Sequence, residues 1–211
     1  MILWTMQPLQ IYEMIQRMGV YRCDPARSSM MRMEFTEQYD WLVAKMTERI
    51  GPPPEGVKYP VWAWYKQNGK RHKPDLRSER WGYGGDGEPY TCLEIGVPDD
   101  QVVLSDFDSW HVPLNNWLLS DTKEEDAAQE SYYKSLTEVQ QKAYREWNWE
   151  RIFDVTPFEN DWIRQGDWVQ ATFWELKKEQ IRAVRFFKTA KRKRELGKND
   201  GHNEPSPSPQ G

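Results

Sequence analysis

The stretch from Lys66 to Arg80 reads KQNGKRHKPDLRSER and is bracketed by Trp62, Trp64 and Trp81. It carries six cations, at Lys66, Lys70, Arg71, Lys73, Arg77 and Arg80. Such groups can surround an anion, and the planar fork of Arg77 matches the paired oxygens of a phosphate or carboxylate. Indole faces can stack a base or ring. Cations interleaved with aromatics therefore predict a site for an anionic, nucleotide-like small molecule or a nucleic-acid segment, built from Trp62, Trp64, Lys73, Arg77, Arg80 and Trp81. The same residues admit a structural reading, in which Trp62 and Trp64 share one strand face as core and Arg77 is pinned to Asp75.

A second group, Asp106-Phe107-Asp108 with Trp110-His111, places two carboxylates and an imidazole within six residues. If a strand ends and a helix begins here, Asp108 and His111 stand one helical turn apart. Oxygen and imidazole groups at that spacing suit acid/base work or a divalent cation. Helix capping by Ser105 or Asp106 accounts for the same carboxylates without chemistry, and we assign no metal to them. Glu175, in a run of alternating character, is a further candidate carboxylate, with an exposed edge-strand glutamate as the alternative.

Other chemistry is poorly supported. Gly82-Tyr83-Gly84-Gly85-Asp86-Gly87 lacks the Lys-Ser/Thr and following helix of a phosphate loop, and reads as a loop between strands. Cys23 and Cys92 are too few for a disulfide scaffold or a four-cysteine zinc site. No nucleophile-elbow motif is present. The residues point to no particular cofactor.

The chain that must position these groups has 211 residues and a formal net charge of −4, and 12 of its residues are tryptophan. Indoles are costly to leave in water, so a packed, tryptophan-rich core is expected although hydrophobic residues make up only 38%. Residues 177–198 hold ten Lys/Arg against two acids, whereas residues 1–176 hold 19 against 29. An acidic body thus carries a basic arm, expected at 189–198, which could meet nucleic acid or stand as a solvated extension. The polar, Pro/Ser-rich residues 199–211 are expected to be disordered. No apolar run is long enough to span a bilayer, and the first residues lack the basic and apolar regions of a secretory signal. A cytoplasmic location with no membrane partner is the expectation.

Hydrophobic periodicity divides residues 1–188, read as one globular domain, into elements. Ile2–Met6 reads as a buried strand, followed by a helix opened by Pro8 and stopped by Gly19. A helix spans about 34–50, ended by Gly51-Pro52-Pro53-Pro54. Val61–Tyr65 is a strand. Tyr90–Val97 and Gln101–Phe107 read as a strand pair joined across Pro98-Asp99-Asp100. Helices follow from Phe107, kinked or restarted at Pro113, over 122–133, and from a Ser135/Glu138 capping box. Trp168–Leu176 alternates as a strand, with Ile181–Phe187 as its partner across the Lys177–Gln180 turn. The fold class is α+β, with a mixed or antiparallel sheet and helices clustered mid-chain.

Several segments together resemble an uncharacterised bacterial and phage family, domain-of-unknown-function family 3841. They are Met1-Ile2-Leu3-Trp4-Thr5, Tyr39-Asp40-Trp41, Ile50-Gly51-Pro52-Pro53, Pro60-Val61-Trp62-Ala63-Trp64 and Lys73-Pro74-Asp75-Leu76-Arg77. Leu104-Ser105-Asp106-Phe107-Asp108, Trp110-His111 and Trp149-Glu150-Arg151-Ile152-Phe153 continue the likeness, which runs to about residue 187. The family implies kinship without an activity. The opening strand, helix and Gly19 also look loosely like the start of ADP-ribosyltransferase-like folds, although the first strand reads Leu3-Trp4-Thr5 without their histidine. Three functions follow as expectations: binding of an anionic nucleotide-like ligand or nucleic acid, group transfer using Glu175 or the Asp106/Asp108/His111 group, and a non-catalytic protein-interaction role.

Overall fold

The computed structural model describes residues 1–23, 35–83 and 87–190. Its elements, in chain order, are β1 (Ile2–Pro8), α1 (Leu9–Met18), β2 (Val20–Arg22), α2 (Thr36–Ile50), β3 (Val61–Lys66), α3 (Leu76–Glu79), β4 (Pro89–Gly96), β5 (Val103–Asp106), α4 (Phe107–Leu114), α5 (Lys123–Lys134), α6 (Glu138–Trp149), β6 (Phe158–Glu159), β7 (Arg164–Gln165), β8 (Val169–Phe173), β9 (Glu175–Lys177) and β10 (Ile181–Lys188). Six strands form one antiparallel sheet in the order β10-β4-β1-β3-β8-β5, and β2 pairs with β9. The protein is therefore α+β. Residues 199–211, most of the basic arm and Gly84–Asp86 lie outside the described residues. Thr189 and Ala190, where the arm was expected to begin, are buried, and the Ala190 amide donates to the Arg80 carbonyl.

The two-residue period of a strand sends alternate side chains to opposite faces of the sheet. Leu3 on β1, Val61 and Ala63 on β3, and Leu93 and Ile95 on β4 pack with Ile15 of α1 on one face. Gly19, at φ 82°, ends α1 in the left-handed conformation that glycine adopts without strain. The opposite face has two coverings. Over β3 and β5, Trp62 and Val103 meet Tyr39 and Trp41 of α2, Trp110 of α4 and Trp149 of α6. Over β1 and β4, Trp4, Met6 and Cys92 meet Leu76 of α3 and Tyr83.

Two expected hairpins are replaced by longer-range pairings. β4 is flanked by β1 and β10, so neither of its edges can accept β5, which joins β8 instead. β8 is likewise flanked on both edges, by β3 and β5, so the chain beyond it cannot return alongside. The expected Trp168–Leu176 strand instead breaks at Trp174, whose indole N–H donates to the Gly51 carbonyl. β9 then pairs with β2, and β10 crosses to β4. The capping box also moves two residues. Thr137 and Gln140 form it, while Ser135 closes α5. Pro113 sits one residue from the end of α4, which stops at Leu114 and does not restart.

A buried amide ties the helical layer together. The Asn148 side chain accepts from the Leu119 amide (2.6 Å) and donates to the Leu119 carbonyl and to Gln129 Oε1 (both 2.9 Å). Asn148→Ala removes three hydrogen bonds and orphans a buried amide, and should cost about 3 kcal/mol. Chemical denaturation checks this, and a loss below about 1 kcal/mol would contradict the account.

Candidate functional site: an aromatic cleft on the central strands

A cleft of about 710 Å³ opens on the face of the sheet that carries two coverings. Trp4, Trp62, Trp64, Tyr83, Phe107 and Gln170 are prominent in its wall. The even positions of β1 and β3 supply the three tryptophans. Trp4 lies opposite Trp64, the one registered position between these strands, against seven between β1 and β4. Next to that pair, the Thr5 hydroxyl donates to the Trp62 carbonyl at 2.8 Å. The central sheet is thus loosely laddered where the cleft lies.

The indoles are held by specific neighbours. Trp62 packs against Tyr39 and Trp110, with ring centroids 6.2 and 5.5 Å away, and Trp64 against Phe107 and Trp168 at 5.2 and 5.8 Å. The two are not stacked into a common core; each is half-buried and faces the cleft from a different cluster. Trp64 Nε1 donates to the Tyr83 hydroxyl at 3.0 Å, and burial pushes the Tyr83 phenol up to about 12. Tyr83 is therefore a neutral, fixed acceptor at ordinary pH.

The described wall contains no lysine or arginine. It does contain Glu79, which accepts from Gln67 Nε2 at 3.1 Å and whose carboxyl is raised above the usual range by burial and, secondarily, by Asp75. Two amides also line the cleft, Gln7, which donates to the Thr5 hydroxyl at 2.8 Å, and Gln170. Gln170 lies on β8 opposite both Trp64 and Ser105, and it is 9% exposed. Among the described residues, neither Gln170 Nε2 nor Ser105 Oγ has a hydrogen-bond partner.

The cations of the basic stretch are placed outside this wall. Lys73, Arg77, Arg80 and Trp81 are exposed. The Arg77 fork grips Asp75, with Nη2 to Oδ2 at 2.7 Å and Nε to Oδ1 at 3.0 Å. Asp75 also caps α3 by accepting from the Arg77 amide. Arg71 lies 4.3 Å over the Tyr65 ring, and Lys66 donates to the Gly166 carbonyl. Lys73 and Arg80 have no ion-pair partner among the described residues. Arg80 directly follows Glu79 of the wall in sequence and is not itself part of that wall.

Asp106 is buried and structural. Its Oδ1 caps α4 through the Ser109 amide at 2.8 Å, and its Oδ2 accepts from the Gly166 amide at 2.7 Å. Gly166 has φ 79°, and a Cβ there would stand 2.8 Å from the backbone of Pro157. Asp108 and His111 do share one turn of α4, but His111 is exposed and its Nδ1 points to the Phe107 and Asp108 carbonyls at 3.0 and 3.3 Å. The Asp108 carboxyl borders a separate hollow of about 290 Å³, where partial desolvation and the Asp106 charge raise its pKa against the lowering effect of His111. Glu175 lines a third hollow of about 180 Å³ and is ion-paired to Arg22 at 2.6 Å. The structure therefore separates the expected groups: Trp62 and Trp64 enter the cleft, and the cations and carboxylates lie elsewhere. Among the described residues no three His, Cys, Asp or Glu side chains are placed to hold a metal, and no helix is long and apolar enough to cross a membrane. Trp4, Tyr83, Glu79 and Gln170 were not anticipated. Of these, Gln170 carried a signal: a polar residue within an apolar strand run.

The family profile described as a domain of unknown function (DUF3841) matches residues 2–182, nearly the whole described chain. The chain belongs to the DUF3841 family. The match spans the strands β1, β3 and β8 that build the cleft, so the cleft is part of the family domain rather than an appendage. No curated protein and no solved structure matches the chain.

Two outcomes follow from this geometry. Both Asp106 oxygens accept from amide N–H groups, so Asp106→Asn sets an NH₂ against one of them and should cost about 2–3 kcal/mol, measured by denaturation; an unchanged midpoint would contradict a purely structural role. The Arg77 guanidinium and the backbone amide beside it hold the exposed Asp75 carboxyl at about 2, below its ordinary 3.8. A depressed folded-state pKa contributes stability above the ordinary value and loses it as pH falls towards the folded value. Carboxyl NMR of the folded protein should show a midpoint near 2 for Asp75, returning towards 3.8 in Arg77→Ala. A wild-type midpoint at 3.8 would remove the pin.

Proposed function

We propose that this protein binds a small, ring-bearing, nucleotide-like ligand, with the ring inside the aromatic cleft and the anionic group at its rim. One observation carries the reading: a cavity of about 710 Å³ walled by Trp4, Trp62 and Trp64 on adjacent central strands. Concave, largely apolar sites with a few converging polar groups are the usual form of small-molecule sites. Indole faces recognise planar rings through stacking and apolar burial. The absence of cations from the described wall, together with the Glu79 carboxylate, disfavours an anion inside. Arg80, exposed and next in sequence to Glu79 of the wall, favours the charged end outside, where a phosphate keeps part of its hydration. The expected anionic, nucleotide-like ligand is retained in this form, with Arg80 rather than Arg77 as its cationic contact. The reading places the protein in the cytoplasm, where the thiols of Cys23 and Cys92 stay reduced.

A protein-contact role is a second reading, favoured by an exposed aromatic ridge on α5 and α6. Tyr132 and Trp147 are 54% and 63% exposed, and both rings meet Tyr144.

Titration with adenosine monophosphate, followed by tryptophan fluorescence, tests the first reading. Trp64→Leu should weaken binding by about tenfold or more, the worth of one base–aromatic stack. Trp147→Leu, on the exposed ridge, should leave it unchanged. Saturable binding that survives Trp64→Leu but falls with Trp147→Leu would move the site to the ridge.

A further inference from the structure

We propose that Gln170 reads the polar edge of the ligand ring, selecting a heterocycle with an exocyclic amine beside a ring nitrogen, as in an aminopurine or aminopyrimidine base. This rests on the cleft being the ligand site. Gln170 sits on β8, an internal strand between β3 and the edge strand β5, and it is 91% buried. Its registered neighbour on β5, Ser105, is 99% buried, and each carries a polar atom without a partner among the described residues. Buried donors and acceptors are almost always satisfied, and an orphaned one is destabilising. Both faces of β8 are covered, so an apolar residue would suit position 170 better if packing were all that it served.

The position of Gln170 explains what its amide could meet. It borders the cleft beside Trp64, its registered partner on β3. A ring stacked on the Trp64 indole therefore presents an edge towards Gln170. A primary amide offers one donor and one acceptor side by side in a plane, the complement of an amine next to a ring nitrogen. The amide can turn end for end about its last torsion, so either group can face the cleft. The acid of the described wall, Glu79, sharpens the choice: a carboxylate attracts a further amine N–H and repels a carbonyl oxygen. Burial raises the Glu79 carboxyl, in keeping with a site that is partly sheltered from water.

The test compares nucleosides that differ in their ring edge. Calorimetry on the full chain measures adenosine against purine riboside, which lacks the amine, and cytidine against uridine. At least one amino-substituted member should bind about tenfold more tightly than its counterpart, within the range of one good bidentate pair. Gln170→Leu should erase that preference while keeping the weaker, stacking-driven binding, and its thermal midpoint should not fall because an orphaned donor is removed. Gln170→Met, closer to glutamine in shape, gives the same readout if the leucine variant misfolds. Equal affinities in the wild type, or a preference that persists in the variants, overturn the proposal. Absence of nucleoside binding while adenosine monophosphate still quenches Trp64-dependent fluorescence overturns the edge reading and leaves the cleft as the ligand site. Loss of Trp64-dependent binding altogether removes the cleft reading itself.

Discussion

A single buried carboxylate decides how the helical layer meets the sheet. Asp106 ends β5 and caps α4, and its second oxygen holds the Gly166 amide just before β8. Phe107 follows at once, its amide bonded to the Trp168 carbonyl. These contacts set the first turn of α4 against the end of the sheet, with Phe107 beside Trp64 and Trp110 beside Trp62. The carboxylate can remain buried because both of its oxygens accept from backbone amides, which offsets the cost of leaving water.

Coverage of the sheet explains why a cleft exists at all. One face is closed by α1, while the other is shared between the α2/α4/α6 layer and the segment around α3 and Tyr83. Trp62 belongs to the first covering and Trp4 and Trp64 to the second, so aromatic surface faces the space between them. Pairing of β1 with β3 at one registered position leaves that part of the sheet held more by side chains than by backbone ladder. Tyr83 compensates locally by fixing the Trp64 indole. The same construction that exposes the rings to a ligand also keeps each of them oriented.

Much of the fold was legible in residue patterns, and the remainder was not for identifiable reasons. The helices over residues 9–18, 36–50 and 123–134 and the strands β1, β3, β4 and β5 follow from local periodicity and from stops such as Gly19 and Gly51. Strand partners did not follow, because a short connection favours a hairpin only while an edge is free, and β4 and β8 have none. Trp62 and Trp64 could be singled out by their alternation in an aromatic run. Trp4 could not, since its approach to Trp64 depends on which strands become neighbours. Charge density pointed to the Lys66–Arg80 stretch, but charge says where water is welcome, and the cations of that stretch lie outside the cleft wall, to which it contributes Glu79. Gln170 gave the reverse kind of signal, a polar side chain in a strand whose two faces are both buried.

The most direct measurement of the central claim labels all 12 tryptophans with 5-fluorotryptophan and follows the ¹⁹F spectrum during titration with adenosine monophosphate. Assignment by single replacement identifies each resonance. The account predicts saturable shifts for Trp4, Trp62 and Trp64, with Trp117 and Trp147 unmoved. Shifts confined to the exposed indoles, with the three cleft resonances unchanged at saturation, would contradict it.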